Sequence, residues 1–196
     1  MRYRRAVRLA PLLVTAVLAA GCTTAGCTTT VAGTPSAPPG VLLPPRPREV
    51  RLDGVDPCTL LTAEQRTSLG ITSRPRSSRP FVTLFRGEVA TCTMRGGPPE
   101  NVLLVSGAVT TAGVGRWQEP DISADVRPAT IAGFPGVVAT PRQFTDYCHV
   151  EVDVATGQLL DVQLGGGAAG AVVPQAELCV RAQRAAEQMM ATLLAR

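Results

Sequence analysis

A chain of 196 residues, 45% of them apolar, is long enough to bury a real hydrophobic core. Its formal charge of +4 comes from 19 basic and 15 acidic residues, but Arg2, Arg4, Arg5 and Arg8 crowd the N-terminus. Without those four, 15 arginines face 15 acids, which excludes a strongly basic nucleic-acid surface and leaves nucleic acid off the expected partners.

The four arginines precede an apolar run, Leu9 to Ala20, that closes on Leu18-Ala19-Ala20-Gly21-Cys22. A basic segment, a short apolar segment and small residues together read as an export signal. With Cys22 directly behind them, the stretch resembles a bacterial lipoprotein signal. The resemblance implies cleavage before Cys22 and acylation of its thiol. Residues 1–21 are then a signal peptide, and the chain is expected on the extracytoplasmic face of the cell membrane, held by an N-terminal lipid anchor. Ordinary signal cleavage, giving a secreted chain, is the alternative. An uncleaved span is disfavoured, because the run is about 12 residues long and a bilayer needs ~20. Cys27, behind Thr24-Ala25-Gly26, is a second candidate for the lipid.

Residues 22–50 carry Thr, Ala, Gly, Ser and Pro, including Pro38-Pro39 and Pro44-Pro45. This composition predicts a Pro-stiffened tether. A single domain is expected over 51–196. Thr62-Ala63-Glu64-Gln65 has the spacing of a capping box and predicts a short helix ending near Leu69, with Gly70 just past its end. Arg74, Arg76 and Arg79 sit among Ser and Pro and read as a solvated loop. Phe81 to Phe85 reads as a strand. Ala90, Cys92 and Met94 alternate with Thr91, Thr93 and Arg95, which turns Cys92 inward. Gly96 to Pro99 is a turn, and Val102 to Val105 a further strand. Val109 to Asp125, which holds the only tryptophan, Trp117, fits no single period. Thr130 to Ala132 and Val137 to Ala139 read as a strand broken by a turn or bulge.

The clearest hairpin follows. Cys148, Val150, Val152 and Val154 face one way and Tyr147, His149, Glu151 and Asp153 the other. Beyond Thr156-Gly157, Leu160, Val162 and Leu164 alternate with Asp161 and Gln163. The pattern predicts an antiparallel sheet with one buried and one wet face. Pro174 opens a long helix to about Leu194, whose inward stripe is Cys179, Ala182, Ala186, Met189, Met190 and Leu193. The expected fold class is α+β: an antiparallel sheet with a short N-terminal and a long C-terminal helix on one face. Export implies an oxidising compartment. Cys58, Cys92, Cys148 and Cys179 allow three pairings. Because Cys148 and Cys179 both point at the core, Cys148–Cys179 with Cys58–Cys92 is favoured.

Asp56-Pro57-Cys58-Thr59-Leu60-Leu61-Thr62 resembles the start of an actinobacterial family of secreted lipoproteins known only as a domain of unknown function. The order of Cys92 on a strand, Cys148 opening an alternating strand and Glu177-Leu178-Cys179 opening an Ala-rich helix is similar to that family over about Asp56 to Leu194. The resemblance implies location and fold; it carries no catalytic residue.

Chemistry is sparse. His149 is the only histidine, so any histidine-based catalysis must use it. There is no Gly-x-Ser-x-Gly elbow and no Cys-x-x-Cys. A metal site would need His149 with Asp146, Glu151, Asp153 or Asp161, and one histidine without a repeated spacing gives no zinc pattern. No metal and no cofactor are therefore expected, and His149 reads as an exposed sheet residue. Trp117, with Arg116 beside it, and His149 are the candidate contacts for an envelope ligand or protein partner. A non-catalytic binding or accessory module ranks first. An envelope hydrolase built around His149 and its carboxylate neighbours, and a structural surface protein, are the alternatives.

Overall fold

The computed structural model describes residues 41–167 and 170–196. The export signal, Cys22, Cys27 and the tether up to position 40 lie outside the described residues. Among those described, no helix is long and apolar enough to cross a membrane.

Nine strands form among the described residues: β1 (Arg76–Ser78), β2 (Phe81–Val82), β3 (Gly87–Glu88), β4 (Ala90–Arg95), β5 (Leu103–Val109), β6 (Ala124–Ile131), β7 (Phe134–Pro141), β8 (Tyr147–Ala155) and β9 (Gln158–Gly165). Seven of them make one antiparallel sheet in the order β1-β4-β5-β9-β8-β7-β6, and β2 and β3 pair separately. Helix α1 spans Ala63–Ser68 and α2 Gln175–Leu194. The capping box on α1 is complete: Thr62 Oγ1 accepts from the Gln65 amide at 3.2 Å, and Gln65 Oε1 accepts from the Thr62 amide at 2.8 Å.

The apolar halves of β8 and β9 pack against α2. Val150, Val152, Leu160, Val162, Leu178, Ala182, Ala186, Met189 and Met190 form one buried core, and the inward stripe expected for α2 is the one that packs. Both favoured disulfides are present, Cys58–Cys92 and Cys148–Cys179. The second ties β8 to α2 directly.

Three expectations are corrected. Phe81 to Phe85 is not a continuous strand: β2 stops at Val82, and a 3-10 turn over Thr83–Phe85, closed by Arg86 at φ 56°, folds it back on β3. The packed chain starts before Arg51, since Val41 and Leu43 lie against a core and Arg46 donates to both oxygens of Asp153 at 2.7 and 2.8 Å. Most consequentially, the other face of the sheet is not wet. It carries a second core of Phe85, Val89, Val109, Val114, Trp117, Val137, Ala139 and Leu159.

Topology explains this second layer. β5 ends beside β9 in mid-sheet, whereas β6 is the far edge strand. The connection between them must cross one face, and α2 occupies the other. The crossover runs as a 3-10 segment over Val114–Gln118 and lays Trp117 on the face that alternation marks as polar. The connection over residues 110–123, within the stretch that fits no single period, is thus a lid on the sheet.

Gly136 lets β7 lie against β8. A Cβ there would fall 2.3 Å from the Glu151 carbonyl oxygen. Gly136→Ala is expected to cost about 3 kcal/mol through overpacking between β7 and β8. Urea unfolding measures it, and a loss within 0.5 kcal/mol, the ordinary surface range, would show that the strands part easily here.

Candidate functional site

The register of β8 against β9 pairs Glu151 with Asp161 and His149 with Gln163. Two acids therefore stand directly opposite each other on the central pair of strands, where like charges repel. His149 is two residues from Glu151 on the same strand face, diagonal to Asp161. All three are buried: His149 is 8% exposed, Glu151 0% and Asp161 2%. This corrects the reading of His149 as an exposed sheet residue. The second core has closed over it.

Imidazole Nδ1 lies 3.6 Å from Glu151 Oε1 and 3.6 Å from Asp161 Oδ1. Both separations exceed hydrogen-bond range. Nδ1, both Glu151 oxygens and Asp161 Oδ1 are sealed from solvent without a hydrogen-bond partner. Only Asp161 Oδ2 is satisfied, accepting from Gln163 Nε2 at 2.7 Å. Gly107 stands across from Asp161 on β5. A Cβ there would lie 3.1 Å from Val89 Cγ1 and 3.4 Å from Asp161 Oδ2, so glycine keeps the space beside the carboxylate clear.

Burial disfavours the imidazolium, but the carboxylates of Asp161 and Glu151 outweigh it and push His149 up to about 9. Burial, reinforced by the charge of Asp161, holds the Glu151 carboxyl well above the usual carboxylate range, against the opposing pull of His149. Without a bound cation, His149 is an imidazolium at neutral pH, and Glu151 holds its proton more tightly than an ordinary carboxyl.

The far side of the imidazole ring lines a cleft of about 400 Å³. Leu84, Trp117, Ile122, Phe144 and Tyr147 form its walls. The Trp117 ring lies 4.8 Å from that of His149, tilted by 56°, and Tyr147 lies 5.9 Å away. Phe144 stands on the rim, 57% exposed. Trp117 and His149, both nearly buried, line this cleft. Arg116 does not line it. Its guanidinium is buried, donates to Asp121 in bidentate fashion at 2.7 Å and donates Nε to the Leu84 carbonyl at 2.7 Å. It ties the crossover to the β2–β3 turn.

Of the acids that spacing offered as partners of His149, the fold selects Glu151 and Asp161. Asp153 is taken by Arg46, and Asp146 is exposed. These three buried side chains are the set among the described residues that could hold a metal ion, with one ligand atom from each lying within 4.8 Å of the others. Leu84, Ile122 and Phe144 carried no sequence signal, because they meet only once the crossover and the β2–β3 turn are in place. Arg74 and Arg76, read as a solvated loop, line an open groove with Arg95 and are exposed.

Both shifted groups make stability depend on pH with the same sign. His149 has a folded pKa above its unfolded value, so its contribution is complete below pH 6.5 and is lost as pH rises towards 9. Glu151 stays protonated in the fold after the unfolded chain has ionised, so its cost grows as pH rises from about 4.5. The chelator-treated chain is therefore expected to lose stability steadily between pH 6.5 and 9. His149→Gln should remove the histidine's share of that slope and leave the share of Glu151, and the His149 ring should titrate near 9 by NMR. A midpoint at 6.5 would mean that the carboxylates do not act on the ring.

No curated protein and no solved structure matches the chain. A family match covers residues 17–192, nearly the whole length, and its description is "Protein of unknown function (DUF3558)". The chain belongs to that family of unknown function.

Proposed function

We propose that this chain is a cell-envelope lipoprotein, held at the outer face of the cytoplasmic membrane by acylated Cys22, that binds a small apolar ligand in the cleft beside His149 without chemically transforming it. The cleft carries the reading. Its volume of about 400 Å³ lies in the range of small-molecule sites. Aromatic and aliphatic walls with few polar groups suit a flat or branched apolar body, and His149 and Tyr147 supply orientation. The basic segment, apolar run and small residues before Cys22 support export and anchoring.

A hydrolase is the second reading. One observation favours it: His149 turns Nδ1 toward carboxylates, as a triad histidine is oriented, while the ring and Ser123 line the same cleft. With its pKa pushed up to about 9, it is a base only at alkaline pH. Replacing His149 by Ala separates the two. Loss of a measured turnover in a folded variant supports the enzyme, whereas retained ligand binding with no turnover in either protein supports the module.

Trp117 is the sole tryptophan, so its fluorescence reports the cleft alone. Native mass spectrometry of the chain exported by an actinobacterial host should show a bound mass that leaves on denaturation, and its removal should shift Trp117 emission. Ala124→Phe, which fills the cleft wall, should abolish both signals in a folded chain. Ligand retained by that variant would place the binding elsewhere.

The membrane-bound chain is expected to begin at Cys22 and to carry acyl mass on its N-terminal peptide, both lost in Cys22→Ala. A mature N-terminal peptide without acyl mass would mean that the lipid anchor at this cysteine is wrong.

A further inference from the structure

Four buried polar atoms without partners converge on one point between β8 and β9: His149 Nδ1, both Glu151 oxygens and Asp161 Oδ1. Leaving even one such atom unsatisfied in a dry interior costs on the order of 1–3 kcal/mol. A sheet that needed only stability would fill these positions with valine, as it does at Val137 next to Glu151. We propose that His149, Glu151 and Asp161 bind one divalent first-row transition cation, through imidazole Nδ1 and one oxygen from each carboxylate.

Geometry, charge and access support the assignment. Two ligands held at zinc distances in a tetrahedral arrangement stand about 3.3–3.6 Å apart. Nδ1 is 3.6 Å from both Glu151 Oε1 and Asp161 Oδ1. The widest separation in the set is within 4.8 Å, so closing on an ion takes a side-chain rotation of roughly 1 Å. Two carboxylates and a neutral imidazole carry two negative charges, which a divalent cation balances in a site too dry to tolerate a net charge. One nitrogen and two oxygen donors suit Zn²⁺ or Mn²⁺ better than Ca²⁺, which takes six to eight oxygens. Gln163, donating to Asp161 Oδ2, leaves Oδ1 free for the ion and fixes the carboxylate plane. Three protein ligands leave a fourth position, and His149 borders the cleft through which an ion can arrive. The site does not depend on what the cleft binds.

The single histidine makes the test clean, provided that no histidine tag is used. The untagged exported chain, stripped with a chelator, should take up one equivalent of Zn²⁺. That equivalent should shift the His149 ring resonances and raise Tm. Mn²⁺ should broaden the His149 and Trp117 signals first, because the two rings are 4.8 Å apart. Asp161→Asn and Glu151→Gln should each weaken Zn²⁺ about 100-fold or more, at the upper end of what supporting residues alone give. Zn²⁺ uptake with unmoved His149 resonances, no uptake at all, or unchanged affinity in folded Asp161→Asn would each overturn the proposal. If a variant fails to fold, the wild-type resonances decide alone, since they report on Nδ1 directly.

Discussion

The pairing of β8 with β9 is the constraint on which the other features depend. One register puts Cys148, Val150 and Val152 on the α2 side and turns His149, Glu151 and Asp161 to the opposite side. A two-residue turn at Thr156-Gly157 pairs Ala155 with Gln158. Continued without a break, it would set Asp153 against Leu160, Val152 against Asp161 and Glu151 against Val162, mixing apolar with acidic side chains on three successive rungs. The irregularity between Asp153 and Ala155 resets the ladder by one residue, after which Val152 meets Leu160 and Glu151 meets Asp161. The same reset that completes the first core therefore creates the acid pair on the second face. It also aims Cys148 at Cys179, so the disulfide and the polar cluster are two results of one strand register.

That cluster is energetically unlike the rest of the molecule. The first core is apolar and fully packed, whereas the second encloses an imidazole and two acids beneath Trp117 and Leu159. A buried charge is tolerated when it is paired and hydrogen-bonded, and here the pairing is electrostatic without close hydrogen bonds. The raised pKa values of His149 and Glu151 express the conflict: the site holds protons where bare chains would have released them. Sequences break local rules of this kind mostly where function requires it.

Much of the architecture could be read directly. The alternation along β8 and β9, the helical stripe of α2, the capping box at Thr62 and the two disulfide pairings all come from local period and chain proximity. What was hidden depended on contacts distant in sequence. Nothing in Val114 to Gln118 says which face of a sheet it will cover; that follows from the strand order. Once the crossover covers the polar face, polar residues that alternate correctly become buried ones, and His149 changes from a surface residue into the floor of a cleft. The pairing of Glu151 with Asp161 was nevertheless present in the alternation, because matching valines with leucines across the hairpin also matches the two acids.

Both disulfides lie on the α2 side of the sheet, one holding β8 to the last helix and the other joining the Cys58 turn to β4. The cleft side has no covalent bridge among the described residues; Arg116, with its bonds to Asp121 and Leu84, is its principal polar fastening. The two layers therefore differ in how far they can breathe. Amides of the crossover should open in local fluctuations that leave the stapled half intact, because stability within a domain is graded and not uniform. Lifting the crossover would widen the mouth beside Phe144 while the bridges keep the opposite layer folded beneath it.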